Sequence, residues 1–191
     1  MAGRFGVIGC GYVGAAAACH FGQMGLEVTG TTTSPSRLQE LCGIVDHPRI
    51  YRAGDSRSDA SFLDSLDGLL IAIAPTTMSM EEDQYRSVYG TGVSALVESI
   101  KARESDRPLH VSYLSSAGVY GNQFGEICDE SSPTDRSNSA NALLADAENA
   151  VLALNDFGTS ACVLRLGGIY GPNKDIASYI RSASGQMVPK N

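Results

Sequence analysis

Hydrophobic positions along this chain fall into short apolar runs that alternate with stretches of helical spacing. Residues 5–8 (Phe-Gly-Val-Ile) and 68–74 (Gly-Leu-Leu-Ile-Ala-Ile-Ala) are near-continuous apolar runs, the second closed by Pro75. Runs of that kind are strands buried on both faces of a parallel sheet. Residues 25–33, 50–53, 108–116 and 161–166 predict four further strands. The alanine-rich stretch ending near Met24 predicts a helix, as does the one opened by Ser34-Pro35-Ser36-Arg37, with a cap-like Ser34 and Pro35 in its first turn. Residues 59–66 predict a short helix and 80–103 a long one. The long one carries Val88, Val93, Leu96, Val97 and Ile100 along one side, weakened by Gly90 and Gly92. Residues 139–154 place Leu143, Leu144, Ala147, Val151 and Leu154 at helical spacing. Residues 122–138 are polar and turn-rich, 167–172 form a loop, and 173–184 predict a last short helix. The alternation predicts an α/β fold, a doubly wound parallel sheet with strand order 3-2-1-4-5-6, as one domain over residues 1–191.

Composition narrows the partners. The 191 residues carry a formal net charge of −7 with no Lys/Arg cluster, which argues against nucleic acid and anionic membrane as the main partner. No apolar run approaches the roughly 20 residues of a membrane-spanning helix, and the first ten residues read as a strand rather than a leader, so the expectation is a soluble, cytoplasmic protein. Five cysteines without a Cys-x-x-Cys pair and three scattered histidines read as reduced thiols and packing residues, with no metal site.

The chemistry concentrates where the first strand meets the first helix. Gly9-Cys10-Gly11-Tyr12-Val13-Gly14 has the spacing Gly-x-Gly-x-x-Gly between a strand and a helix. Gly9 permits the tight turn, Gly11 lets backbone approach a pyrophosphate, and Gly14 lets the helix pack on the strand, leaving free N–H groups for the anion. About 20 residues further on, where an NAD site places an acid on the ribose, stand Thr31, Thr32 and Thr33, with Arg37 just beyond. No carboxylate there repels a 2′-phosphate, so the cofactor expected is NADP, with NAD as the other choice. The candidate cofactor-binding set is Gly9, Gly11, Tyr12, Val13, Gly14, Thr32, Thr33, Arg37, Asp55, Ser56 and Ala74, the last three at carboxyl ends of expected strands.

Two further motifs give the chain a family likeness. Leu114-Ser115-Ser116-Ala117-Gly118-Val119-Tyr120-Gly121 and Leu164-Arg165-Leu166-Gly167-Gly168-Ile169-Tyr170-Gly171-Pro172, together with the glycine fingerprint, resemble the NAD-dependent epimerase/dehydratase family, the extended short-chain dehydrogenases/reductases. The resemblance covers nearly the whole chain and implies a Rossmann fold, an NAD(P) cofactor and oxidoreductase chemistry. It places the catalytic Ser on Ser116. The family's Tyr-x-x-x-Lys pair, registered through Ala147-Glu148, falls on Ala140 and Leu144, neither of which moves a proton. Tyr170 and Lys174 have the spacing but not the helix, because Gly171-Pro172 lies between them. The chain therefore resembles the atypical members that lack the dyad, and Gly168 replaces an Asn that many sugar epimerases carry.

Extended members continue into a seventh strand and a C-terminal substrate domain, whereas this sequence stops at Asn191. The expectation is an absent substrate domain and an exposed sheet edge, which invites a homodimer or capture of a partner. The leading expectation for function is an atypical family member that binds NADP(H), with weak or absent oxidoreductase activity on an unknown small-molecule substrate. The alternative is a non-enzymatic cofactor-sensing or scaffolding protein. A third, the nucleotide-binding domain of a UDP-sugar dehydrogenase, draws on Gly11-Tyr12-Val13-Gly14 but explains neither 115–121 nor 168–172.

Overall fold

The computed structural model, which describes residues 2–75 and 82–174, contains six strands: β1 (Arg4–Ile8), β2 (Glu27–Thr32), β3 (His47–Ile50), β4 (Gly68–Ile71), β5 (His110–Ser116) and β6 (Ser160–Leu166). All pair in parallel, in the order β3-β2-β1-β4-β5-β6, as the alternation predicts. The helices are α1 (Tyr12–Gln23), α2 (Pro35–Leu41), α3 (Glu82–Tyr85), α4 (Val93–Lys101) and α5 (Ser139–Leu152).

Two cores lie on the two faces of this sheet. Adjacent residues of one strand serve opposite cores, which is why the central strands are apolar throughout. Val7 and Leu70 pack with Ala18, Val28 and Leu41 against α1 and α2, whereas Ile8, Leu69 and Ile71 pack with Leu96, Val97, Val111 and Val151 against α4 and α5. The α4 residues Val93, Leu96, Val97 and Ile100 are buried at the i, i+3, i+4, i+7 spacing of one helix face. Gly68 stands opposite Phe5 in the β1–β4 register, and the Phe5 ring fills the space a side chain at Gly68 would need.

Three boundaries differ from expectation. The third strand is His47–Ile50 rather than 50–53, because its register with β2 runs from Thr29↔His47 to Thr32↔Ile50. Its exposed His47, Arg49 and Ile50 mark an edge strand, which lacks the apolar signal of the centre. The fourth strand ends at Ile71, ahead of Ala74. The long helix expected over 80–103 is α3 and α4 joined by a π-helical segment, Arg86–Gly92, in which the Val93 N–H reaches back to the Val88 carbonyl. Gly90 and Gly92 relax the backbone into that wider turn. The helix expected over 173–184 lies, except for Asn173 and Lys174, outside the described residues, as does the rest of the stretch in which no seventh strand is expected. Gly171 and Lys174 close a tight turn by exchanging backbone hydrogen bonds of 2.9 Å each.

Candidate functional site

A groove of about 1130 Å³ runs across the carboxyl ends of the strands. This is where open parallel sheets hold ligands, at the switch point between β1 and β4. Its floor is the glycine turn. Gly9 has φ of +92°, which only glycine adopts without strain, and its N–H donates to Thr31 Oγ1 at 3.0 Å. The Cys10 N–H donates to the Thr31 carbonyl at 2.7 Å, so buried Thr31 fixes the turn from both sides. A Cβ at Gly14 would collide with the Gly9 carbonyl oxygen, whereas one at Gly11 would meet no protein atom within 4 Å. The first glycine position is conformational, the third is packing, and the second borders open groove.

Gly11 caps α1 with no side-chain hydrogen bond and no acid in the first turn, so the first N–H groups keep their capacity for an outside acceptor. Thr32 and Thr33 line the same groove at the end of β2. Thr32 Oγ1 accepts from the Ser34 N–H at 3.2 Å, which leaves exposed Thr33 the freer hydroxyl. Ser34 Oγ pairs with Ser36 Oγ at 2.8 Å instead of capping α2. Arg37, in the first turn of α2, lines the groove; its 3.5 Å pair with Glu40 is exposed on both sides and worth about 0–1 kcal/mol, too little to withhold the guanidinium from an anion.

Of the sequence candidates, Gly9, Gly11, Tyr12, Val13, Thr32, Thr33, Arg37 and Ala74 come together around the groove, and Gly14 lies directly beneath it. Asp55 and Ser56 do not line it. The Asp55 carboxylate is engaged by the Arg57 guanidinium at 2.9 and 3.0 Å, which holds its pKa down to about 2, and the pair shapes an exposed turn. Ser116 is exposed, and its Oγ accepts the Gly118 N–H at 3.1 Å, capping the short 3-10 turn Ala117–Tyr120. Ala140 and Leu144 lie on α5 away from the groove, with Leu144 buried beside Val119 and Ala145.

The sequence reading missed several lining residues. Tyr51, Arg52, Ile73, Ser87, Val88, Ser115 and Lys174 all border the groove. Ser115 is buried and donates to Glu148 Oε1 at 2.6 Å, while Arg165 Nη2 donates to Glu148 Oε2 at 2.7 Å and Arg165 Nη1 to the Tyr120 hydroxyl at 2.8 Å. The Arg165 guanidinium also stacks 4.8 Å above the Tyr120 ring, and the Glu148 carboxylate beside it raises its pKa further. This network ties the ends of β5 and β6 to α5. A signal existed in Glu148, an acid among the apolar positions of an amphipathic helix. Among the described residues no group of His, Cys, Asp and Glu could hold a metal ion, and no helix is long and apolar enough to cross a membrane.

A glycine turn feeding an uncapped helix at the switch point of a 3-2-1-4-5-6 sheet defines a dinucleotide-binding protein class. The chain belongs to the NAD dependent epimerase/dehydratase family, whose profile it matches over residues 7–189. It is 28% identical over 176 residues to Protein YeeZ of Escherichia coli (strain K12), covering 90% of this chain and 60% of that protein. The chain thus spans about 60% of the length of the curated relative it matches. Among solved structures it is similar to a short-chain dehydrogenase/reductase superfamily protein from Agrobacterium tumefaciens with bound NAD (TM-score 0.69, 19% identity, 85% of this chain and 48% of that one). It is also similar to the Bordetella bronchiseptica enzyme WbmH in complex with NAD+ (TM-score 0.71, 17% identity, 97% and 64%). At those identities the likeness concerns the fold.

Proposed function

We propose that this chain binds NADP(H) as an atypical member of its family, with weak or absent oxidoreductase activity of its own. The observation that carries the reading is the contrast between Gly11 and Gly14: open groove at one, close packing at the other. It is the pattern expected where backbone must approach a pyrophosphate. Residues 1–191 act here as one dinucleotide-binding unit. The first turn of α1 holds the diphosphate through its N–H groups. Thr33 and Arg37 receive the 2′-phosphate, and Ala74 and Ile73 line the wall at the end of β4. A bound nicotinamide supplies a hydride donor or acceptor; the chain's own contribution to proton movement is small, because Ala140 and Leu144 carry no ionisable group.

The test is calorimetric titration of the purified chain with NADPH and NADH, alongside determination of the full gene. An engaged Arg37 contributes about 1.5–3 kcal/mol, so NADPH should bind about ten- to a hundredfold tighter, and Arg37→Ala should erase most of the difference. Equal affinities in the wild-type protein would overturn the NADP assignment. The loss of the dyad also favours a second reading, a cofactor sensor or scaffold that acts through a partner. Absence of turnover across a carbonyl panel with retained cofactor binding distinguishes it.

A further inference from the structure

The short turn that closes at Lys174 touches the glycine fingerprint from the far end of the chain. The Tyr12 hydroxyl donates to the Pro172 carbonyl at 2.9 Å, and the Lys174 ammonium sits 4.7 Å from the centre of the Tyr12 ring. Tyr12 is the first residue of α1, so this contact places a cation beside the helix end whose N–H groups are uncapped. Lys174 lines the groove and takes part in none of the ion pairs among the described residues. The aromatic face orients its charge without neutralising it. The remaining cations of the groove, Arg37 and Arg52, come after β2 and β3 in the chain, and the one carboxylate among its described lining residues is Asp83.

We propose that Lys174 is a ligand for the diphosphate of the bound dinucleotide, beside the glycine turn, with Tyr12 as the residue that positions it. The proposal rests on the dinucleotide reading above. A lysine ammonium is a compact point charge suited to phosphate oxygens that move little, and the reciprocal Gly171–Lys174 backbone bonds make its carrier a closed turn rather than a loose tail. Because the diphosphate is common to NAD and NADP, Lys174 adds affinity for both equally, whereas Arg37 sets the difference between them. A site for a phosphate on a substrate would instead leave both cofactor affinities unchanged.

The experiment titrates wild type, Lys174→Ala, Lys174→Arg and Arg37→Ala with NAD+, NADP+, adenosine 2′-monophosphate and inorganic pyrophosphate at low and high salt. Lys174→Ala should weaken NAD+ and NADP+ by the same factor, about tenfold at low salt and less at high salt, with their ratio preserved and adenosine 2′-monophosphate unaffected. Lys174→Arg should restore most of the loss. Gly171→Ala provides a second handle, since a Cβ there would stand 2.6 Å from the Tyr12 hydroxyl oxygen at a φ of +151°. It should weaken both cofactors with the Lys174 charge still present. Lys174 is exposed, so its variants should melt with the wild type. Cofactor affinities within twofold of wild type in Lys174→Ala, or a loss confined to NADP+, would overturn the proposal. A wild type that binds neither dinucleotide but binds pyrophosphate in a Lys174-dependent way would sink the dinucleotide reading and leave the anion site standing. Binding of neither would sink both.

Discussion

Glu148 and Arg165 are locked together by hydrogen bonds at 2.7, 3.1 and 3.2 Å, with the Glu148 side chain only 3% exposed. Such a pair need not add net stability over an apolar one, but breaking it leaves a largely buried charge without its counter-charge. Removing the acid alone, as Glu148→Ala, should cost about 3–5 kcal/mol in chemical denaturation. Arg165→Met together with Glu148→Leu should cost much less than the two single changes combined. Additive losses in that cycle would show that the pair is incidental.

The glycine fingerprint makes two opposite predictions within one turn. Gly11→Val should leave the melting temperature within a few degrees of wild type and abolish dinucleotide binding, since only groove lies where the new side chain goes. Gly14→Ala should lower stability, by about 1–3 kcal/mol, because α1 must move off the Gly9 carbonyl. Cofactor binding by Gly11→Val within a few-fold of wild type would mean that the diphosphate lies elsewhere.

Acid should weaken the fold partly through Asp67. Its Oδ2 accepts the Arg4 backbone N–H at 2.8 Å and its Oδ1 the Arg107 guanidinium at 3.1 Å; the backbone bond first and the arginine second hold its pKa below the usual value. A carboxyl lowered in the folded state contributes stability that is present above its unfolded pKa, about 3.9, and lost as pH falls through the folded value. Urea midpoints measured from pH 6 down to pH 3 should therefore fall more steeply in wild type than in Asp67→Asn. Parallel slopes would remove Asp67 from the acid response.

The strand order and the glycine turn were legible in the sequence because both are carried by local signals: near-continuous apolar runs alternating with stretches of helical spacing, and glycines whose spacing encodes a turn. Groove membership was less legible. Asp55 reads as a ligand if the third strand reaches Ala53, but the strand ends at Ile50, and beyond the four residues 51–54 the carboxylate is held by Arg57. Local spacing gives Lys174 no role, because Gly171-Pro172 breaks any helix with Tyr170. Its contact with Tyr12, 162 positions earlier, is tertiary and leaves no trace in local spacing. Ser115 and Ser116 look alike in the sequence, and only the alternation on β5 buries the one and exposes the other.

The last prediction concerns catalysis. The chain should bind NADPH without steady turnover of nucleotide sugars or small carbonyls. Ser116 can donate a hydrogen bond, yet it is exposed, its Oγ already accepts the Gly118 N–H at 3.1 Å, and the positions that the family resemblance assigns to a phenol and an ammonium are Ala140 and Leu144. General acid–base help is worth about 10²–10⁴-fold, so its loss leaves little measurable rate. Other tyrosines are poorly placed to replace it. The Tyr113 hydroxyl is fully buried with no hydrogen-bond partner among the described residues and its pKa is pushed up by burial, and the Tyr120 hydroxyl donates to the Asp129 carbonyl at 2.7 Å. The measurement is NADPH absorbance against a carbonyl panel, with Ser116→Ala as control. Turnover that disappears in Ser116→Ala would show that a working proton path survives without the dyad, and the proposal of weak or absent activity would fall.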